Sequence, residues 1–223
     1  MRGRVKVCGI NSEAAFDEAV AAGADWIGFV FFPPSPRFVT PVRAARLSVR
    51  HTGGPPRVGL FVDPGEAEIA AALAALPLDI LQLYAPPERA AALGRLFGRP
   101  VWRAVGVAAR ADLPADANGA DALLIEAKAP PEATRPGGNA VQFDWSLLAG
   151  WHAPAPWVLA GGLDPDNVGA AIAVSGATAV DVSSGVESAP GVKDPARIRA
   201  FIAAARAAWQ EPAPRRRQAV RGG

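Results

Sequence analysis

Short apolar runs alternate with stretches of helical periodicity along most of the chain. The first run, Val5-Lys6-Val7-Cys8, is followed by a helical pattern over 13–22. There Ala15, Phe16, Ala19 and Val20 share one face, and Gly23 supplies the stop. Strand-like runs recur at 25–30, 57–62, 78–83, 100–105, 122–126, 157–160 and 179–182. Helical segments are expected from 41, over 87–97, weakly over 111–117, briefly from 144, up to about 174, and up to about 209. Thr40-Pro41, Asp164-Pro165 and Asp194-Pro195 each place a capping side chain before a proline suited to the first helical position. Asp63-Pro64-Gly65-Glu66 adds an acidic residue to the same signal, with Asp63 as the expected cap.

This pattern amounts to eight βα units. Parallel strands covered on both faces are apolar throughout, as these runs are. Each return to a parallel strand needs a crossover, which the intervening helices provide. The expectation is a single α/β domain over 1–210, a (β/α)8 or TIM barrel. An open doubly wound sheet usually has fewer strands and a glycine-rich first turn, which Cys8-Gly9-Ile10-Asn11 is not.

Composition narrows the class further. Half of the 223 residues are apolar and a fifth are charged, enough for a substantial core and against global disorder. No apolar run approaches the roughly 18 residues that span a bilayer. Met1-Arg2-Gly3-Arg4 leads into a strand without the apolar region of a signal peptide. One cysteine cannot form an internal disulfide, which fits a reducing compartment, and the cytoplasm is the expected location. The net charge of +2 is unevenly placed. Arg215, Arg216, Arg217, Arg221 and Glu211 lie in 211–223, so the remainder carries 19 basic against 20 acidic residues. The basic tail, rich in Pro, Gly and Arg, is expected to be a disordered, solvated extension. A near-neutral body gives no expectation of a nucleic-acid or membrane partner. No metal-binding spacing of His, Cys or acidic residues appears, and neither a metal nor a cofactor is expected.

In such a barrel, functional groups project from the C-terminal strand ends and the βα loops. That rule gathers Cys8 after strand one, Arg37 after strand two, Gln82 and Tyr84 at strand four and Glu126 at strand six. Gly161 and Gly162 follow strand seven, and Asp181, Ser184 and Gly185 finish strand eight. Asp63 and Arg103 are weaker candidates, since Asp63 is already explained as a cap. Glycines after strands seven and eight let backbone N–H groups approach an anion, so phosphate is expected there. The competing reading is that these glycines only make tight turns.

These residues fall in four ordered motifs: Lys6-Val7-Cys8-Gly9-Ile10, Phe32-Pro33-Pro34-Ser35-Pro36-Arg37, Leu159-Ala160-Gly161-Gly162-Leu163 with Asn167-Val168, and Asp181-Val182-Ser183-Ser184-Gly185-Val186-Glu187 with Gly191-Val192-Lys193-Asp194. Together, over residue 4 to about 205, they resemble phosphoribosylanthranilate isomerase. The resemblance implies the isomerisation of N-(5-phosphoribosyl)anthranilate in tryptophan biosynthesis, with this phosphosugar–anthranilate as the small-molecule partner and a monomer or homodimer as the assembly. It also implies Cys8 as general base and Glu126 as general acid, Arg37, Gln82 and Asp181 on the substrate, and Gly161, Gly162, Ser184 and Gly185 on its phosphate. A thiol titrates nearer neutrality than a carboxyl and suits proton abstraction, and a planar guanidinium suits a carboxylate.

Two positions depart from the family's usual pattern. Glu126 stands where the family usually has Asp, keeping the functional group with one more methylene. Gln82-Leu83-Tyr84-Ala85 stands where Gln-Leu-His-Gly is usual, which removes an imidazole and leaves a phenol. The alternatives are therefore another phosphosugar barrel, including one that also accepts a histidine-pathway analogue, or a barrel that binds without catalysis.

Overall fold

The structure, a computed structural model, describes residues 3–130, 137 and 142–210. Eight parallel strands close a barrel in chain order: β1 (Arg4–Cys8), β2 (Trp26–Val30), β3 (Arg57–Val62), β4 (Ile80–Tyr84), β5 (Val101–Val107), β6 (Ala122–Ala127), β7 (Trp157–Leu159) and β8 (Ala179–Val182). Outside them lie α1 (Glu13–Ala21), α2 (Pro41–Ser48), α3 (Glu66–Ala75), α4 (Pro87–Phe97), α5 (Val168–Ser175) and α6 (Pro195–Gln210). After β8 an antiparallel pair, β9 (Glu187–Ala189) and β10 (Val192–Lys193), folds over the rim. The expected TIM barrel is the observed fold. The tail at 211–223 lies outside the described residues, as does most of the Pro/Gly-rich loop after β6.

Alternation along the strands separates two kinds of interior. Val5, Val7, Ile27, Phe29, Phe61, Leu81, Leu83, Leu123, Ile125, Val180 and Val182 point outward and form the core between strands and helices. The intervening positions fill the barrel. At its N-terminal end they are apolar: Trp26, Val58, Ile80, Trp102, Ala122, Val158 and Ala179, with Trp26 and Trp102 packed edge to face. Two residues further along each strand, the same inward positions include Lys6, Gln82 and Asp181, all buried. The barrel is thus sealed at one end and polar toward the other.

Several local expectations change. Among the described residues, the chain after β5 and β6 makes short 3-10 turns, Arg110–Asp112 and Trp145–Leu148. Pro114 interrupts the 111–117 pattern, and the Asp112 carboxylate accepts from Ala108 and Ala109 N–H at 2.9 Å, closing a turn instead of a helix. Thr40 caps α2 through Arg43 N–H (3.2 Å), and Asp194 caps α6 through Ala196 N–H (2.8 Å). Asp63 is not a cap, because α3 starts later. Gly65 is its N-cap residue, and Glu68 accepts the Gly65 N–H at 2.8 Å. Asp63 itself sits in left-handed backbone at φ 42°. Similarly, Asp164 closes a turn onto Asp166 and Asn167 N–H, and α5 begins only after Asn167.

Candidate active site

Cys8 ends β1 inside the barrel and is 3% exposed. Lys6, two residues earlier on the same inward face, is fully buried and donates to Asp181 at 3.0 Å. The β1–β8 register sets these two residues opposite each other. Gly28 on β2 makes the space: a Cβ there would lie 2.8 Å from Cys8 Sγ and 3.2 Å from Lys6 Cε. Burial works to lower the Lys6 pKa, but the charges and hydrogen bonds of Asp181 and Cys8 outweigh it, and the ammonium is held protonated above the ordinary lysine value. Burial pushes the Cys8 thiol up, opposed by Lys6. It also raises the Asp181 carboxyl, again against Lys6.

Across the mouth, Glu126 on β6 is 5% exposed and meets Tyr84 from β4. Burial first, then the neighbouring Glu126, raise the Tyr84 phenol well above its usual value, so it stays protonated. The two departures from the family pattern are therefore in contact with each other. Gln82, one inward position below Tyr84, is 1% exposed, and its Oε1 has no hydrogen-bond partner among the described residues.

Arg37 lies along Gly9, whose Cβ would fall 2.7 Å from Arg37 Cδ. Its Nε and one Nη donate to Glu187 at 2.7 and 2.9 Å in a bidentate pair. Glu187, on the β9–β10 hairpin, also accepts from Lys193 (2.8 Å) and Gly191 N–H (3.1 Å). Burial alone would raise the Glu187 carboxyl, but Arg37 and Lys193 hold it below its usual value. Lys193 donates onward to the Ser183 carbonyl (2.9 Å), and Ser183 Oγ donates to the Cys8 carbonyl (3.2 Å). The hairpin thus ties the Arg37 loop to the strand end that carries the thiol.

Gly161 and Gly162 follow β7 at φ 82° and 66°, backbone that favours glycine. A Cβ on Gly161 would also lie 2.8 Å from Ala127 N and 3.1 Å from Glu126 Cβ, so the loop passes directly over the carboxylate strand. Asn167 fixes this turn by donating to the Gly162 carbonyl at 2.9 Å.

One cavity of about 640 Å³, measured to its open mouth, is shared by Cys8, Arg37, Gln82, Tyr84, Glu126 and Asp181. Gly161, Gly162, Ser183 and Ser184 form another part of its wall. Gly185 stands behind Ser184, with its carbonyl taken by Arg197 at 3.2 Å, and does not line the cavity. Arg103 points outward toward the helix layer, and Asp63 is exposed outside the cavity. Lys6, Gly28, Glu187 and Lys193 were given no role by the sequence reading. The signal for Lys6 was present: a lysine inside an apolar, doubly covered strand, in phase with Cys8, requires a buried counter-charge.

The family model described as N-(5'phosphoribosyl)anthranilate (PRA) isomerase matches residues 5–204. An N-(5'-phosphoribosyl)anthranilate isomerase of Acidiphilium cryptum is 57% identical over 92% of this chain and 99% of its own length. One of Granulibacter bethesdensis is 53% identical over 92% and 99%. Among solved structures, the dimeric isomerase of Thermotoga maritima, in the form of generated monomers, superposes with a TM-score of 0.77 at 37% identity, over 92% of this chain and 99% of that one. An isomerase solved with reduced 1-(o-carboxyphenylamino)-1-deoxyribulose 5-phosphate superposes with a TM-score of 0.75 at 35% identity, over the same shares. With the match running from β1 into α6 and through every strand that bears the cavity, this chain belongs to the N-(5'-phosphoribosyl)anthranilate isomerase family.

Proposed function

We propose that the chain converts N-(5-phosphoribosyl)anthranilate to 1-(2-carboxyphenylamino)-1-deoxy-D-ribulose 5-phosphate, the third step of the chorismate-to-tryptophan branch. The observation that carries this is a buried thiol and a buried carboxyl facing one cavity from β1 and β6 of this family's barrel. The reaction is an Amadori rearrangement and needs two proton transfers at separate atoms. Glu126, in its acid form, protonates the furanose ring oxygen as the C1–O bond breaks and the anthranilate nitrogen lone pair forms the iminium. Cys8, as thiolate, then takes the C2 proton, and the bonding pair moves toward C1 to give the enolamine, which tautomerises to the ketone.

The remaining assignments follow from position. Gly161, Gly162 and Ser184 hold the phosphate through backbone N–H groups and the Ser184 hydroxyl, with Gly185 shaping the turn from behind. Arg37 meets the anthranilate carboxylate while Glu187 fixes the plane of its guanidinium. Gln82 Oε1 accepts from a sugar hydroxyl, which satisfies its buried acceptor. Asp181 stands beside Cys8 at the reacting carbon.

The test is steady-state turnover, followed by the change in anthranilate fluorescence, in Cys8→Ala and Glu126→Ala. Each is expected to lower kcat by about 100- to 10,000-fold, the usual worth of a lost acid or base. Near-native turnover in both would overturn the assignment. Failure of the native gene to restore growth without tryptophan in a strain lacking the isomerase would overturn the function itself. Sedimentation at assay concentrations reads whether one copy or two is at work.

A further inference from the structure

We propose that Lys6 is the positioning residue of the base, a single buried ammonium shared between Asp181 and Cys8 that passes from the carboxylate to the thiolate when Cys8 becomes the proton acceptor. The inference rests on Cys8 being the base, as argued above, and adds the group that lets it carry charge. Lys6 Nζ donates to Asp181 at 3.0 Å, and Lys6 Cε and Cys8 Sγ converge on one point, 3.2 and 2.8 Å from where a Cβ on Gly28 would stand. Lys6 and Cys8 are alternate residues of one strand, so their side chains rise on the same inward face. Gly28, across β1–β2, presents no side chain where Cys8 Sγ and Lys6 Cε come together. A lysine with no exposed surface gains nothing from water, so its charge has to be balanced within this cluster.

The charge count explains why sharing matters. One ammonium faces two groups that can each be an anion, and burial disfavours two anions against one cation. In the resting state Asp181 carries the negative charge and Cys8 is a thiol. When the thiol proton leaves for Asp181, the thiolate becomes the partner of Lys6, and the cluster keeps one positive and one negative charge throughout. No external base is consumed, and the proton is conserved between the two side chains. Burial works against the ionised form of both acidic groups, which favours one anion over two beside the protonated Lys6.

Other groups face the cluster from each packed element. Lys193 comes from the hairpin, with Arg37 and Glu187 paired behind it, and Tyr84 and Glu126 face it from β4 and β6. Of these, Lys193 is the cation that also favours the thiolate, but it is held by Glu187 and the Ser183 carbonyl. β2 contributes Gly28 there, with no charge.

Cys8 is the only thiol in the chain, so its titration can be read without ambiguity. The experiment is the rate of iodoacetamide alkylation against pH, followed by intact mass on the folded full-length protein without substrate. In Lys6→Met the thiol is expected to titrate at least about one unit higher, so alkylation at a pH below the wild-type midpoint falls about tenfold. In Asp181→Asn the competitor for Lys6 is gone. The thiol is then expected to titrate lower, and alkylation at the same pH rises several-fold, as a rough reading of that one lost charge. Opposite shifts support the shared ammonium. Shifts in the same direction, or an unmoved thiol in Asp181→Asn, overturn it. Should Lys6→Met not fold around an unpaired Asp181, Lys6→Met/Asp181→Asn removes both charges and must titrate above Asp181→Asn alone. Because no substrate is present, these outcomes stand apart from isomerase turnover: loss of the isomerase reading with opposite thiol shifts intact would leave the charge cluster standing.

Discussion

Gly28→Ala is the sharpest steric test of the site. Gly28 has no positive φ, so the substitution costs nothing in backbone conformation and acts only through its new methyl. That methyl would lie 2.8 Å from Cys8 Sγ, 3.0 Å from Cys8 Cα and 3.2 Å from Lys6 Cε. Optimal carbon contacts are about 3.5–4.0 Å, so the thiol must withdraw by somewhat under or about 1 Å, or β1 and β2 must part. Overpacking of this kind costs about 1–3 kcal/mol, which for a domain of this size lowers Tm by about 2–12 °C. The larger effect is on chemistry. A displacement near 1 Å at a reacting group costs about 100-fold, so kcat is expected to fall by about 10- to 100-fold. KM should stay within about twofold, because the Gly161–Gly162 loop and Arg37 lie on other elements and keep their binding contributions. Fluorescence-based steady-state kinetics, a thermal melt and the alkylation rate of Cys8 give the three readings. Gly169→Ala is the control, since its methyl would meet only Ala208 Cβ at 3.9 Å. Native kcat and native thiol reactivity in Gly28→Ala would refute the placement of the base against β2.

Two further perturbations probe the opposite sides of the cavity. Glu187→Gln leaves Arg37 and Lys193 buried without their carboxylate, a loss of about 3–5 kcal/mol, read as a Tm about 6–20 °C lower and a raised KM. Glu187 is held below its usual carboxyl value in the folded protein. Its share of stability is therefore present above the unfolded-state pKa and lost as pH falls through the folded one. Urea midpoints measured from pH 7 down to pH 3 should fall less in Glu187→Gln than in the native chain, and parallel curves would contradict the clamp. Tyr84→Phe removes the phenol that faces Glu126. With a neutral hydrogen bond worth about 0.5–1.5 kcal/mol, kcat should drop by about two- to tenfold at unchanged KM. Unchanged kcat would mean that Tyr84 does not orient the acid.

Period and punctuation alone determined the architecture. Eight short apolar runs separated by helical stretches admit few arrangements, because parallel strands need crossovers and those crossovers turn one way. Cys8, Glu126, Gln82 and Asp181 were legible for the same reason: each stands near the end of such a run, and a barrel brings strand ends together. Helix starts were less legible. Asp63 has the composition of a cap, yet Glu68 takes the Gly65 N–H, and Asp164 accepts from Asp166 and Asn167 N–H but closes only a turn, with α5 starting beyond it. Pairing across the barrel was beyond the sequence. Lys6 and Asp181 are 175 positions apart, Arg37 and Glu187 150, and nothing local says which buried charge will answer which. Nor does the sequence say that Glu126 and Tyr84 face each other across the mouth. Local patterns set elements because backbone hydrogen bonding and side-chain phase are local. Charge balance in a dry interior is settled only when closure of the sheet decides which side chains share one space.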